Sequence, residues 1–239
     1  MYIFSNAREA FLPHLPQGGA VAEIGVNTGD FSRAVIDANH PAKLHLIDPW
    51  ALADAKDDYA DNEKNKAGDG EARHQAVLCR FEPEISSGVI EIHRDFSFNA
   101  CREFPDRTFD WIYIDGNHKY EHVLKDIELF APKVKDDGLI LGHDYANHDY
   151  ARSLDFGVVE AVNEFVRTHG YEFIGLTAEN FPTFIIAKSL DNKRLNTFLA
   201  DILYHLNPVV KIDDFLSRTF HQQLAHFSDG RMRAIIEID

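Results

Sequence analysis

Apolar and β-branched runs alternate along the chain with segments whose apolar residues recur at helical spacing. The runs that predict strands are Ala20 to Val26, Leu44 to Ile47, Val89 to His93, Phe109 to Ile114 and Leu139 to Leu141. The segments that predict helices are Asp30 to Asn39, Glu71 to Phe81, Ser97 to Glu103, Lys119 to Val134 and Val158 to Thr168. This alternation predicts right-handed βαβ units in a largely parallel sheet, with ligands at the carboxyl ends of the strands.

The rest of the chain predicts an edge hairpin, a loop and a tail. YEFIGL and PTFIIAK flank the polar turn formers TAENF, which predicts a hairpin that closes the sheet edge with an antiparallel strand. Residues 51–70 are charged and poor in large aliphatics, which is typical of a lid-like loop. We therefore expect a Rossmann-like, doubly wound α/β core over residues 1–189. Helical spacing in LNTFLADILYHL and DDFLSRTFHQQLAHF predicts a helical extension over residues 190–239, packed on the core or on a second subunit.

Composition narrows the class of protein. Of 239 residues, 45% are hydrophobic and 26% are charged, as in soluble globular proteins. Neither a membrane-length apolar run nor a secretory leader is visible, so we expect a cytoplasmic protein without a membrane partner. The net charge of −15 argues against nucleic acid and favours a small-molecule substrate. Cys79 and Cys101 lack metal-type spacing and are expected to be free thiols.

The first strand runs into the turn VAEIGVNTGDFSRAV, which Gly25 and Gly29 bracket. Glycine lets the backbone approach a ligand, and the helix start offers unpaired N–H groups. The dinucleotide fingerprint G-x-G-x-x-G fails, because Asn27 replaces the middle glycine and Asp30, which would repel a pyrophosphate, replaces the last. S-adenosylmethionine has no pyrophosphate and fits better, with Asn27 in the left-handed conformation. The alternative is a plain strand–helix turn with a capping Asp.

Acidic residues near three successive strand ends extend this predicted cofactor site. Glu23, just before the turn, can hold the cofactor's ammonium directly or through water, and Asp48 can accept from both ribose hydroxyls. Asp95 can accept from the adenine amino group while Phe96 packs on the ring. Alternatively, Asp95 or Ser97 only caps the following helix.

The ends of the fourth and fifth strands predict reaction chemistry. A hydroxyl becomes a methyl acceptor when a base takes its proton or a cation lowers its pKa. Asp115 and Asp144 supply hard oxygen ligands suited to magnesium, and His118, one turn into the next helix, would face the same cleft as a base. The alternative is an Asp115-Gly116 turn without a metal, in which Asn117 or His118 caps the helix.

Three segments also carry a family resemblance: EIGVNTG, LIDPW and YIDGNHKYEHVLKDIELFAPKVKDDGLILGHDY. Over roughly Ala20 to Lys188 the chain resembles class I S-adenosylmethionine-dependent methyltransferases, and more narrowly the macrocin-type sugar O-methyltransferase branch. The resemblance implies a seven-stranded sheet and a divalent cation, usually magnesium, held at the Asp115 position and at the end of strand five. It also implies a general base at His118. The branch commonly has two adjacent acids where this chain has His143 and Asp144.

We therefore predict an O-methyltransferase that uses S-adenosylmethionine and a divalent cation to methylate a hydroxyl of a sugar or small polyol-like natural product. His118 and Asp144 are the expected catalytic residues, and Asp115, His143 and Asp144 the expected metal ligands. The extension offers a surface for self-association. The alternatives are a metal-independent methyltransferase acting on nitrogen or a carboxylate oxygen, an NAD-binding oxidoreductase, and a noncatalytic cofactor-binding protein.

Overall fold

A mixed sheet forms the centre of the protein, whose computed structural model describes residues 1–51 and 69–239. Within these residues the sheet has nine strands. They are β1 (Tyr2–Phe4), β2 (Ala20–Ile24), β3 (Lys43–Ile47), β4 (Ile90–His93), β5 (Phe109–Ile114), β6 (Val134–Gly142), β7 (Glu172–Thr177), β8 (Phe184–Ala187) and β9 (Val209–Lys211). Their order across the sheet is β4-β3-β2-β5-β6-β8-β7-β1-β9, and a separate hairpin joins β10 (Phe220–His226) to β11 (Met232–Ile238).

Helices cover both faces of this sheet. They are α1 (Asp30–Asn39), α2 (Asp69–Arg80), α3 (Glu82–Ser86), α4 (Ser97–Ala100), α5 (Tyr120–Phe130), α6 (Asp149–Ser153), α7 (Val158–His169) and α8 (Lys193–His205). Short 3-10 turns lie at Arg8–Phe11, Cys101–Glu103, Ala131–Lys133 and Phe215–Ser217. The predicted βαβ alternation is present, and the prediction of a Rossmann-like, mostly parallel α/β fold is confirmed.

The central strand β5 packs against helices on both faces of the sheet. All its residues are buried, and successive side chains point to opposite faces of a strand. Trp111 and Tyr113 pack in one core with residues of α1, α2 and α8, whereas Ile112 and Ile114 pack in the other with residues of α4, α5 and α7. A strand that is buried on both faces consists of a nearly continuous apolar run, which is why the sequence FDWIYI predicts a strand.

The sheet extends further than the sequence predicted. The hairpin of β7 and β8 is present, but β8 pairs antiparallel with both β6 and β7 and therefore lies inside the sheet. Beyond β7 the sheet continues through β1 in parallel and β9 antiparallel, which gives nine strands instead of seven. Both added strands have three residues, too few for hydrophobic periodicity to show.

The C-terminal extension is only partly helical. Its first predicted helix is α8, but the second segment, DDFLSRTFHQQLAHF, forms a 3-10 turn and the strand β10. The β-branched residues of β11 favour strand structure, and β10 pairs with β11 over its whole length. Phe215 and Phe220 pack in the core that contains α5 and α7. The pairing with β11, supported by this contact with the core, accounts for a strand where local spacing favours a helix.

Three further expectations concern the lid, the membrane and the thiols. The lid predicted over residues 51–70 lies outside the described residues except at its ends. No helix of the described chain combines the length and apolarity needed to cross a bilayer. Cys79 is exposed, Cys101 is buried, and both are free thiols.

Candidate active site

Five acidic residues lie at the carboxyl ends of adjacent parallel strands. Glu23 is near the end of β2, Asp48 follows β3, Asp95 follows β4, Asp115 follows β5 and Asp144 follows β6. Because β4, β3, β2, β5 and β6 are neighbours in this order, one edge of the sheet carries all five. This is the edge at which open α/β sheets bind ligands.

The turn after β2 has the conformation that the sequence predicted. Gly25, Asn27 and Gly29 have positive φ angles of 90°, 52° and 77°, which confirms the left-handed conformation expected for Asn27. Gly25 is also a point of close backbone approach, because a Cβ there would lie 2.0 Å from the backbone oxygen of Asp115. The turn and the end of β5 are therefore packed backbone against backbone.

Asp48 organises this turn. Its Oδ2 accepts hydrogen bonds of 2.9 Å from the backbone N–H groups of Val26 and Asn27, and its Oδ1 accepts one of 2.6 Å from Trp50. The buried Trp50 indole donates to the backbone oxygen of Asn27 at 2.8 Å. A carboxylate has about four acceptor sites, so Asp48 retains capacity for a ribose hydroxyl.

Glu23 is a buried carboxyl beside the turn. Its side chain is 2% exposed and accepts a 2.6 Å hydrogen bond from the Ser32 hydroxyl. Burial raises the pKa of Glu23 to about 8, although the Ser32 hydrogen bond opposes the rise. At neutral pH a carboxyl with this pKa is largely protonated, and a cation beside it, such as an ammonium group, would favour its ionised form.

Asp95 forms local hydrogen bonds in the segment that leads into α4. Its Oδ1 accepts from the Phe96 backbone N–H at 2.7 Å and from the Asn99 side chain at 3.0 Å, so it orders the start of α4. Both bonds use the same oxygen. Phe96 is half-buried and stacks on Phe98 with ring centroids 5.4 Å apart. Contacts of Asp95 and Phe96 with adenine stay predictions.

Two acids and two histidines meet where β5 and β6 end, and we call these residues, Asp115, His118, His143 and Asp144, the acid–histidine centre. The Nε2 of His118 lies 2.9 Å from Asp144 Oδ2 and 3.4 Å from Asp115 Oδ1. The Nδ1 of His143 lies 3.3 Å from Asp144 Oδ1 and 3.8 Å from Asp115 Oδ2. His118 precedes α5, which begins at Tyr120, so the expectation that it lies one turn inside the helix is wrong.

Opposite charges stabilise one another in the acid–histidine centre. Burial lowers the pKa of His118, but the Asp144 and Asp115 carboxylates outweigh this effect and raise it to about 10. Burial likewise opposes ionisation of the two aspartates, yet the histidines hold both carboxyl pKa values below the usual range. In this arrangement the His118 imidazole carries a proton at neutral pH.

Arg8 is a component of the site that sequence reasoning missed. Its Nη1 donates 3.0 Å hydrogen bonds to the Tyr113 hydroxyl and to Asp115 Oδ2. The guanidinium lies 4.7 Å from the centre of the Phe31 ring, a cation–π contact. No motif surrounds Arg8 in the sequence, and its place depends on the pairing of the short strand β1 with β7.

The donor set of the acid–histidine centre fits a divalent cation. Asp115, His118 and Asp144 each offer a ligand atom, and these atoms lie within 4.8 Å of one another. Carboxylate oxygens and an imidazole nitrogen suit magnesium, manganese or zinc. Protonated His118 and Arg8 face the two carboxylates and together carry two positive charges. A divalent ion would supply the same positive charge.

Aromatic rings line the side of the centre that faces α6 and the β7–β8 connection. The Phe156 ring lies 4.7 Å from His118 and 5.9 Å from Phe181, and Tyr150 lies 6.3 Å from Phe181. Tyr150 is 52% exposed, and the two phenylalanines are partly exposed. We call Tyr150, Phe156 and Phe181 the aromatic wall.

The C-terminal hairpin supports the loops that carry this wall. The Asn147 side chain donates to the Phe220 backbone oxygen at 2.8 Å. The Asn180 side chain accepts from the Ala234 backbone N–H at 2.8 Å. The loop after β6 and the β7–β8 connection are therefore both attached to β10–β11, a role that the sequence did not reveal.

Comparisons with known proteins agree with this geometry. A family model described as a methyltransferase domain matches residues 22–145, just over half of the chain, from β2 to the end of the acid–histidine centre. No significant match was found among curated proteins.

The solved structures that resemble this chain include proteins named for different reactions. An O-methyltransferase family protein from Burkholderia thailandensis aligns with a TM-score of 0.54 and 12% identity, over 77% of this chain and 56% of that chain. Spermidine synthase from Thermotoga maritima gives 0.51 and 16%, over 84% and 64%. The B. subtilis tRNA methyltransferase TrmK gives 0.51 and 9%, over 76% and 64%. This chain thus spans less than two thirds of these structures, and the likeness establishes the fold alone.

The family match covers the strand ends, the glycine turn and the acidic residues described above. The chain therefore belongs to the methyltransferase-domain family.

Proposed function

We propose that the enzyme transfers the methyl group of S-adenosylmethionine to a hydroxyl of a sugar or small polyol-like natural product, and that a divalent cation assists this reaction. The observation that carries the proposal is the acid–histidine centre, where Asp115, His118 and Asp144 place three ligand atoms within 4.8 Å. Asp115 and Asp144 would hold the cation, with His143 beside them. A bound cation lowers the pKa of a coordinated hydroxyl.

The protein's own groups would control the acceptor's proton. His118 is protonated because two carboxylates face it. A cation held by these carboxylates would offset their charge and lower the pKa of His118 towards the range of a general base, whose Nε2 would accept the hydroxyl proton. Asp144 orients the imidazole through its 2.9 Å contact. Phe156 packs against the same ring and restricts its position.

The donor would lie along the ends of β2, β3 and β4. Glu23 would bind the ammonium group, the Gly25–Gly29 turn would contact the methionine portion, and Asp48 would accept from the ribose. Asp95 and Phe96 would contact adenine. Because β2 and β5 are adjacent, this placement directs the methyl group towards the acid–histidine centre. In-line orientation of this kind supplies much of the rate of a methyl transfer.

The aromatic wall supports a ring-shaped acceptor. Aromatic faces pack well against apolar surfaces, including the C–H face of a sugar ring. Phe156 contacts His118, so a ring packed on the wall would bring a hydroxyl near the candidate base. We expect Phe181→Ala to raise KM for the acceptor about tenfold, the size of one lost packing contact, and to leave donor affinity unchanged. Steady-state kinetics with each substrate varied in turn separates these effects, and an unchanged acceptor KM would contradict the assignment.

A metal-independent methyltransferase is the second candidate, and Arg8 is the observation that favours it. Arg8 and protonated His118 together already neutralise the two carboxylates. If a cation binds, Arg8 competes with it for Asp115. We therefore expect Arg8→Met to tighten Mn²⁺ binding about tenfold and Arg8→Lys to change it less. Calorimetric titration measures both values. Affinities that are identical in the three proteins would show that Mn²⁺ does not bind at Asp115, which supports the metal-independent candidate.

Glu23 provides a test of how the donor binds. Glu23→Gln keeps the shape of the side chain but cannot become a carboxylate, so we expect S-adenosylmethionine to bind about 10- to 100-fold more weakly. Methylthioadenosine lacks the amino acid portion and serves as the matched ligand. Its affinity should be the same in the variant and the parent. Equal losses for both ligands would show that Glu23 maintains the turn and does not bind the ammonium.

An acceptor panel tests the proposed reaction itself. Methyl-labelled S-adenosylmethionine is incubated with glycosides, inositols, catechols and amines, and products are identified by mass spectrometry. We expect methyl ethers of glycosides or polyols. Label found only on amines or carboxylates would refute the O-methyltransferase proposal.

A further inference from the structure

A second cluster of metal-ligating side chains lies away from the acid–histidine centre. It joins the segment before β2 to helix α8 and consists of His14, Asp201 and His205, which we call the His14 cluster. Beside it is a cavity of about 360 Å³ whose lining includes His14, Asp137 and Arg194. Arg194 is hydrogen-bonded to Asp110 near the amino end of β5. None of the three residues of the His14 cluster is part of the acid–histidine centre.

The three side chains of the His14 cluster converge on one point. The Nδ1 of His14 lies 2.5 Å from Asp201 Oδ2, and the Nδ1 of His205 lies 3.1 Å from Asp201 Oδ1. The two imidazoles stack with centroids 5.3 Å apart and planes 22° apart. All three residues offer ligand atoms within 4.8 Å of one another.

The chemistry of the His14 cluster matches a particular class of ion. Two imidazole nitrogens and one carboxylate oxygen form a borderline-soft set that suits zinc and similar transition metals better than magnesium. Asp201 and His205 are four residues apart on α8 and therefore share one face of the helix. His14 comes from a separate segment, so a bound ion would connect two parts of the chain.

The exposure of these side chains suits an ion that enters from solvent. His14 is 15% exposed, Asp201 43% and His205 53%. The described cluster of His45, Glu91 and His93 differs in this respect. There His93 is 7% exposed, and its Nδ1 contacts Glu103 Oε2 at 2.8 Å.

We propose that His14, Asp201 and His205 bind a zinc-like divalent transition metal ion that fastens the N-terminal segment to α8. In zinc sites with three protein ligands, a water or substrate atom takes the fourth position. The same N-terminal segment carries Arg8 to Asp115, so the ion would also restrict the segment that supplies this arginine. The proposal does not depend on the proposed function, because it concerns residues outside the candidate active site.

Cobalt titration of the full chain tests this site. In the cobalt and thermal experiments of this subsection, the parent protein is the Asp115→Ala variant, which lacks one candidate ligand of the acid–histidine centre. It is first stripped of metal with EDTA. We expect Co²⁺ to give visible absorption typical of a low-coordinate nitrogen and oxygen site, and Zn²⁺ to displace it. His205→Asn and His14→Asn should each lose this absorption, whereas His226→Asn, at an exposed histidine on β10, should retain it.

Thermal denaturation supplies a second measurement. Zn²⁺ should raise the Tm of the parent and of His226→Asn, but not that of His205→Asn, because binding to the native state alone stabilises it. His205 is more than half exposed, so this substitution leaves the core intact. Absorption and a Zn²⁺-dependent Tm rise in His205→Asn equal to those of the parent would overturn the proposal. Absence of both in the parent would overturn it as well, leaving a hydrogen-bonded triad without a metal.

Discussion

Replacing Asp115 by alanine is expected to lower methyl transfer at least about 100-fold while S-adenosylmethionine binding persists. Asp115 offers a ligand atom to the candidate cation and pairs with Arg8 at 3.0 Å. Losing one charged group that stabilises developing charge in a closed site has effects of about this size. Turnover and donor affinity are measured separately, by labelled methyl transfer and by calorimetry.

Asp155→Ala is the matched control for Asp115→Ala. Asp155 is 85% exposed on the loop after α6 and lies outside the acid–histidine centre. We expect parental activity and a Tm close to that of the parent from this variant. Parental turnover in Asp115→Ala would remove Asp115 from the catalytic machinery, and lost donor binding would instead show that it maintains the cofactor site.

Gly25→Ala is expected to destabilise the protein by about 2–5 kcal/mol and to abolish donor binding. The left-handed conformation of Gly25 costs an L-residue about 1–2 kcal/mol. The new Cβ would lie 2.0 Å from the Asp115 backbone oxygen, and relieving such an overlap typically costs about 1–3 kcal/mol. Because the turn must move away from β5, both the donor site and Asp115 would be displaced.

Gly88→Ala separates the cost of the left-handed backbone conformation from the cost of the Cβ overlap. Gly88 has a φ of 77°, and a Cβ there would meet nothing within 4 Å. Urea unfolding should therefore show a loss of about 1–2 kcal/mol for Gly88→Ala and a clearly larger loss for Gly25→Ala. Equal losses would mean that the backbone contact between Gly25 and Asp115 contributes little.

The sequence predicted the parts of the site that follow from the parallel sheet. Successive strands carry their last residues to one edge, so Asp48, Asp95, Asp115 and Asp144 could be placed together from their positions after apolar runs. The left-handed Asn27 could be predicted because it stands where related turns have glycine. These are local signals combined with one topological rule.

The parts that could not be predicted depend on contacts between distant segments. Arg8 reaches Asp115 only because a three-residue strand pairs beside β7. The C-terminal strand β10 has helical spacing in the sequence, and its conformation is decided by pairing with β11. The pKa of His118 likewise depends on how closely two carboxylates approach it, which no spacing along the chain specifies.

The most direct test of the central claim is the rate of methyl transfer to a glycoside acceptor before and after removal of divalent cations. If Asp115 and Asp144 hold a cation that activates the hydroxyl, EDTA-treated enzyme should be inactive, and Mg²⁺ or Mn²⁺ should restore turnover in the parent but not in Asp115→Ala. Full turnover in the presence of the chelator would contradict the account.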